Sequence, residues 1–180
     1  MRFNWLRISS IIVCVLVFSA CGNDEENEDI DLEKEAEEIS VEFLDTLYNV
    51  EESHFVDEND TVEEVADYFE QQVDEYEVYF TEEELEELTN TRFFSKPDEA
   101  ASKQEATITM KNLEVDAEET NEEGEWEFEH TFTLIFEDES GEEIKSADMS
   151  GQITVVEDTG DMKIDRYYDN GFPEDMLESL

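Results

Sequence analysis

The chain has 180 residues and carries 55 Asp and Glu against 10 Lys and Arg, a formal net charge of −45. A field of this sign repels nucleic acid, so we expect no nucleic-acid partner, and counter-cations should cover the acidic surface. Twelve Phe, six Tyr and two Trp predict an ordered core instead of a disordered acidic chain. This balance suits halophilic adaptation to a saline or alkaline habitat. The alternative is a polyanionic face for Ca²⁺ or a basic partner.

The first 21 residues have the layout of an export signal. Arg2 and Arg7 form a positive start, 8–18 is an apolar run interrupted by two serines, and small residues precede Cys21. The run is shorter than the about 20 apolar residues that span a bilayer, which argues against an uncleaved membrane anchor. An ordinary secretory signal with an incidental cysteine is the remaining alternative.

The stretch 18–22, Phe-Ser-Ala-Cys-Gly, resembles the lipobox of bacterial lipoproteins, with Phe18 where that family usually has Leu. The resemblance implies a signal peptide over residues 1–20, cleavage before Cys21, and a diacylglyceryl thioether on the Cys21 sulfur. Acyl chains such as palmitate would then anchor the protein to the extracytoplasmic face of the cell membrane. Losing Arg2 and Arg7 with the signal would take the net charge from −45 to −47. Because Cys14 lies in the apolar run, the mature chain would have no disulfide.

The next segments predict a tether and a first helix. Residues 21–31 predict a solvated acidic tether, because 23–29 offer no core residue and their like charges extend the chain. Apolar residues then recur at spacings of three and four over 32–49, which predicts an amphipathic helix.

Two capping-box patterns predict two further helices. Thr61 with Glu64 opens a second helix whose apolar stripe continues to Phe80, and Thr81 with Glu84 opens a short third one. Residues 89–101, which contain a proline, predict an irregular connector.

Beyond this connector the hydrophobic period changes from 3.6 to 2, which predicts four strands. A phase change near Asn112 predicts a bulge in the first strand. The second strand has Trp126 and every second residue to Phe136 on its apolar face, including His130. Turns at 138–141 and 158–160 separate the later strands. In the last strand, simple alternation puts Met162, Ile164, Arg166 and Tyr168 on one face.

Helices followed by strands predict an α+β fold, with N-terminal helices packed on a curved four-stranded antiparallel sheet. We expect one domain over residues 32–172 and a loose tail over residues 173–180.

This order resembles the cone fold of the nuclear-transport-factor-two-like superfamily, which includes ketosteroid isomerase-like proteins. The resemblance rests on the stretch 81–85, Thr-Glu-Glu-Glu-Leu, and on the closing strand 162–168, Met-Lys-Ile-Asp-Arg-Tyr-Tyr. It implies a curved sheet wrapped over helices with a pocket between them. It does not imply one function, because the superfamily includes enzymes, transport adaptors and binding modules.

Three side chains are candidates for such a pocket. His130 lies on the apolar face of the second strand, where it is either a base or ligand contact or a core histidine with one satisfied hydrogen bond. Arg166 would point inward, to bind an anion or to neutralise a nearby carboxylate. Tyr68 lies on the second helix. No catalytic motif, zinc cluster or complete Ca²⁺ loop is present in the sequence, so we expect no metal site and no cofactor.

Three functions remain open at this point. The first is a non-catalytic module that binds a small ligand or an envelope protein. The second is an isomerase or dehydratase that uses His130 with Arg166 or Tyr68. The third is an acidic surface protein that holds cations. An open pocket lined by these three side chains favours the enzyme, and a pocket filled by Trp126, Phe128 and Phe132 favours the binding module.

Overall fold

The computed structural model describes residues 25–56, 60–118 and 124–177. The predicted signal peptide, Cys21 and residues 178–180 lie outside this part. Within it, the chain forms four helices, then four strands and a 3₁₀ turn. The elements in chain order are α1 (Glu25–Tyr48), α2 (Val62–Tyr76), α3 (Glu82–Asn90), α4 (Lys96–Gln104), β1 (Thr107–Glu118), β2 (Glu125–Glu137), β3 (Glu143–Asp158), β4 (Asp161–Asp169) and the 3₁₀ turn (Glu174–Met176). The predicted α+β class is confirmed.

Helix α1 begins at Glu25, seven residues earlier than the periodicity predicted. The backbone of 25–31, expected to belong to the tether, is therefore helical. Glutamate is a good helix former, and acidic side chains are favoured in the first turns by the helix dipole. The buried face of α1 packs on the sheet and contacts all four strands. Its fully or nearly fully buried apolar side chains are Ala36, Phe43, Leu44, Leu47 and Tyr48.

The capping box that opens α2 is confirmed. The Thr61 hydroxyl accepts from the Glu64 amide at 3.3 Å, and the Thr61 amide donates to Glu64 Oε2 at 2.8 Å. The helix ends at Tyr76, four residues before the end of the predicted stripe. The chain leaves the helix because its backbone pairs with β4 instead: Ile164 N–H donates to the Tyr79 carbonyl at 2.7 Å.

The expected connector over 89–101 is wrong in its second half, where helix α4 forms. Pro97 stands in the first turn of this helix. A proline is tolerated there because first-turn amides have no partner within the helix. Ala100 and Ala101 are buried, so α4 is held by packing. The helix ends at Gln104, because the next residue, Glu105, has a left-handed backbone (φ 49°).

The sheet is the predicted antiparallel meander, with strand order β1-β2-β3-β4. The bulge in β1 is also confirmed. The β1–β2 register shifts between Lys111 and Glu114, and Asn112 has a positive φ of 55°. Strand β2 alternates as predicted, with buried Phe128, His130 and Phe132 facing the helices.

The predicted inward position of Arg166 is wrong, because β4 also contains a bulge. Thr154 pairs with Arg166 but the next residue, Val155, pairs with Ile164, so Asp165 is an extra residue. Beyond it the alternation inverts. Ile164 and Tyr167 are buried, whereas Arg166 is exposed.

The described part of the expected loose tail is packed against the domain. Met176 is buried, and its carbonyl accepts from Gln104 Nε2 at 3.0 Å. Lys145 Nζ donates to the Asp175 carbonyl at 3.0 Å. The ordered domain therefore extends beyond Phe172, because Met176 supplies an apolar anchor that the short terminal sequence did not reveal.

Candidate functional site

The three predicted pocket residues do not converge. His130 is buried on the inner face of the sheet, Arg166 is exposed on β4, and Tyr68 lines a cleft bordered by α1, α2 and α4. The bulge at Asp165 explains the position of Arg166. Tyr68 misses the sheet interior because its face of α2 is directed at the residues around Asp98.

His130 is enclosed by aromatic rings. Its imidazole stacks on Phe132 and Tyr167, with ring centroids 5.7 Å away in both cases. Burial lowers the pKa of His130 to about 4, and the Asp169 charge acts in the opposite direction. Within the described part of the chain, neither ring nitrogen has a hydrogen-bond partner. The described residues thus offer no partner for the one hydrogen bond expected of a core histidine, and the ring occupies a core position as a neutral group.

Gly151 makes this packing possible. It pairs with His130 across the β2–β3 ladder. A Cβ at this position would lie 2.1 Å from the Tyr168 carbonyl oxygen and 2.7 Å from His130 Cε1. Only glycine allows the backbone of β4 and the imidazole to approach this closely.

A buried polar cluster lies beside His130 and was not predicted. The Tyr48 hydroxyl donates to Asp169 Oδ2 at 3.0 Å and lies 3.2 Å from the Tyr167 hydroxyl. Burial raises the pKa of both tyrosines well above the usual value, with the nearby Asp169 charge acting in the same direction. The hydroxyls stay protonated, and the cluster joins the end of α1 to the end of β4.

Tyr68 lines a cleft of about 490 Å³. Its hydroxyl donates to Asp98 Oδ2 at 2.8 Å and accepts from Gln72 Nε2 at 2.8 Å. The His54 amide donates to the other carboxylate oxygen of Asp98 at 3.0 Å. Burial raises the pKa of Tyr68 far above its usual value, with the Asp98 charge as a second cause. This network fixes the walls of the cleft, which also carry Glu51, Glu52 and Glu75.

Glu84 has a structural role different from the predicted one. The Thr81 hydroxyl accepts from the Glu84 amide at 3.5 Å, so half of the predicted capping box forms. The Glu84 carboxylate turns to β4 instead, where Oε1 accepts from the Tyr167 amide at 2.8 Å. Burial raises the pKa of Glu84, and this hydrogen bond partly opposes the effect. The side chain therefore satisfies a backbone donor on the edge of the sheet.

The described residues were compared with the requirements of a metal site and of a membrane-spanning helix. They contain no group of three or more His, Cys, Asp or Glu placed to hold a metal ion. None of the helices in 25–56, 60–118 and 124–177 is both long and apolar enough to cross a membrane.

Comparisons with known proteins support the fold. No protein-family model matches the chain, and no curated protein does. Among solved structures, the chain is similar to one described as "Structure of a periplasmic fragment of TraM", with a TM-score of 0.50 and 12% sequence identity. The match covers 77% of this chain and 97% of the TraM fragment. At this identity the similarity concerns the fold alone, so the resemblance to the cone superfamily stays a prediction.

Proposed function

We propose that the protein is a non-catalytic binding module on the outer face of the cell membrane, anchored by lipid on Cys21. The observation that carries the proposal is the position of Cys21, directly after the small residues that end the apolar run and four residues before helix α1 begins. A segment of four residues spans at most about 14 Å, so the module would be held close to the membrane surface.

The interior of the fold supports binding in preference to catalysis. The rings of Phe128 and Phe132 are buried on the inner face of the sheet, and Trp126 is partly buried against the same core. The isomerase or dehydratase alternative used His130 with Arg166 or Tyr68, and neither partner lies beside the imidazole: Arg166 is exposed on β4 and Tyr68 lines the cleft beside α2. Surfaces and external clefts are therefore the places where we expect a ligand or an envelope protein to bind.

An extracytoplasmic location agrees with the charge. A polyanionic surface is tolerated where abundant cations screen it, as in an external medium. The similar TraM fragment is described as periplasmic. That description belongs to TraM. That this chain also lies outside the cytoplasmic membrane is part of our proposal.

Metabolic labelling with a palmitate analogue tests the anchor. The wild-type protein should take up label and partition with the membrane fraction. Cys21→Ser should lose the label and should no longer be held in the membrane by lipid. Cys14→Ser is the matched control, since that thiol lies within the predicted signal, and it should be labelled like the wild type. Equal membrane retention of Cys21→Ser would contradict the proposal.

A further inference from the structure

Other parts of the chain cover most, but not all, of the two edge strands of the sheet. Strand β4 is covered by the chain between α2 and α3. The Thr81 amide donates to the Ile164 carbonyl at 3.0 Å, and Glu84 accepts from the Tyr167 amide. The first half of β1 is covered too: Ile108 pairs with Val50 through two backbone hydrogen bonds of 2.9 Å. The outward-facing backbone groups of Ile108 and Ile164, and the Tyr167 amide, thus already have partners.

The second half of β1, residues 113–118, has a free edge within the described structure. Its backbone pairs with β2 on one side, and no other backbone hydrogen bond joins it to described residues. In an antiparallel strand about half of the N–H and C=O groups point away from the one neighbour. Such an edge is a template for an added strand. Leu113 and Val115 pack partly against the core, which keeps this stretch extended.

The charges on this edge point to the partner. Glu114, Asp116 and Glu118 are all exposed. The register places Asp116 directly opposite Glu129 and Glu118 directly opposite Glu127. Like charges in directly opposed positions destabilise a sheet. Arg166 lines the same small cleft as Glu118 and Glu127, but no ion pair within 4.0 Å joins these carboxylates, or Asp116 and Glu129, to another described residue.

These charges also disfavour pairing of this edge with the same edge of a second copy of the chain. A second copy of the chain that paired through the same edge would place its own three carboxylates against these three. The repulsion already present across the ladder would increase, so self-association through this edge is disfavoured. A strand with basic side chains would instead bring a cation directly opposite each carboxylate.

We propose that residues 113–118 bind an extended, basic segment of a partner protein, which adds to the sheet as a fifth strand beside β1. Backbone hydrogen bonds hold the segment in place. In this segment, Lys or Arg at every second position faces Glu114, Asp116 and Glu118. The positions between the basic residues carry small apolar side chains. This inference rests on the proposed role as a binding module, and it does not depend on lipid attachment.

A synthetic heptapeptide that alternates Lys and Val, with blocked ends, is a direct probe. Its affinity is measured by calorimetry for the full protein purified in detergent, at about 0.15 M NaCl, where weak long-range attraction is screened. The comparison peptide has the same sequence with every backbone amide methylated. It keeps the charge but has no backbone donor. We expect methylation to weaken binding at least tenfold, and the parent peptide to slow hydrogen exchange of amides within 113–118.

A triple variant tests the location. Glu114→Gln, Asp116→Asn and Glu118→Gln together should weaken the parent peptide at least tenfold without a change in side-chain size. The matched control neutralises three exposed carboxylates on the helices, Glu70→Gln, Glu86→Gln and Glu87→Gln, and should leave the affinity within twofold. Calorimetry in detergent keeps this test separate from the labelling test of the anchor.

Three results would overturn the inference. The first is equal affinity for the methylated and parent peptides, which would indicate adsorption by charge alone. The second is an equal loss of affinity in the two triple variants, and the third is the absence of binding. In each case the labelling of Cys21 would still report on the anchor.

Discussion

Acidification should destabilise the fold through His130. Burial lowers the pKa of this ring to about 4 in the folded protein, against an ordinary value of 6.5. Below pH 6.5 the unfolded chain takes up a proton that the folded chain does not accept until about pH 4. Because the unfolded state binds more protons in this window, the free energy of unfolding falls as the pH decreases. Stability linked to this group is complete above pH 6.5.

The size of the effect follows from the separation of the two pKa values. One pH unit of separation corresponds to about 1.4 kcal/mol, so the loss between pH 6.5 and pH 4 is about 3 kcal/mol. Protonation of surface carboxylates acts in the opposite direction in this acidic chain, because it reduces self-repulsion. The wild type must therefore be compared with a variant that lacks only the imidazole.

His130→Leu is that variant, since leucine has a similar volume and no charged form. Urea unfolding at pH 7.0 and pH 4.0 gives the change in unfolding free energy for each protein. Between pH 7.0 and pH 4.0, the unfolding free energy of the wild type should fall by about 2–3 kcal/mol relative to that of the variant. His54→Leu is the control, because His54 is exposed in a loop. The same pH dependence in the wild type and His130→Leu would refute the argument.

Three further predictions concern the same framework. Gly151→Ala should cost about 2–3 kcal/mol in urea unfolding, because the new Cβ would meet the Tyr168 carbonyl oxygen and the His130 ring; a loss below 0.5 kcal/mol would contradict this close packing. Glu84→Ala should cost about 1–3 kcal/mol, because it leaves the Tyr167 amide unpaired, whereas Glu84→Gln keeps an acceptor and should cost less; equal losses would show that this hydrogen bond does not stabilise the fold. The thermal midpoint should rise with NaCl, because screening relieves carboxylate repulsion; a midpoint that stays constant with salt would exclude self-repulsion as a major effect.

Local patterns were sufficient to predict most of the architecture. The capping box at Thr61 and the strict alternation on β2 each depend on residues close in sequence. Asn112 revealed its bulge because apolar residues on either side are visibly out of phase. The bulge at Asp165 has no such signal in the sequence. A strand in which Ile164 and Arg166 share the inner face is as compatible with the sequence as the observed one, in which Ile164 and Tyr167 are buried. Only the pairing with β3 decides between these two registers.

The contacts that decide the site are not local. Tyr48 and Asp169 are 121 positions apart and meet through one hydrogen bond. Glu84 was predicted to cap its own helix, yet it binds the Tyr167 amide 83 positions away. Periodicity within one element cannot reveal such pairs. The helix over 96–104 escapes prediction for a different reason, since a proline usually indicates a break but here stands in the first turn, where it is tolerated.

The central claim, a binding module anchored through Cys21, is tested most directly by mass spectrometry of the mature N-terminal peptide. The protein is purified from membranes in detergent and digested, and the peptide that begins at residue 21 is identified. We predict that cleavage precedes Cys21 and that this residue carries the added mass of a diacylglyceryl group with its acyl chains. An unmodified Cys21, or a first residue elsewhere in the chain, would contradict the account.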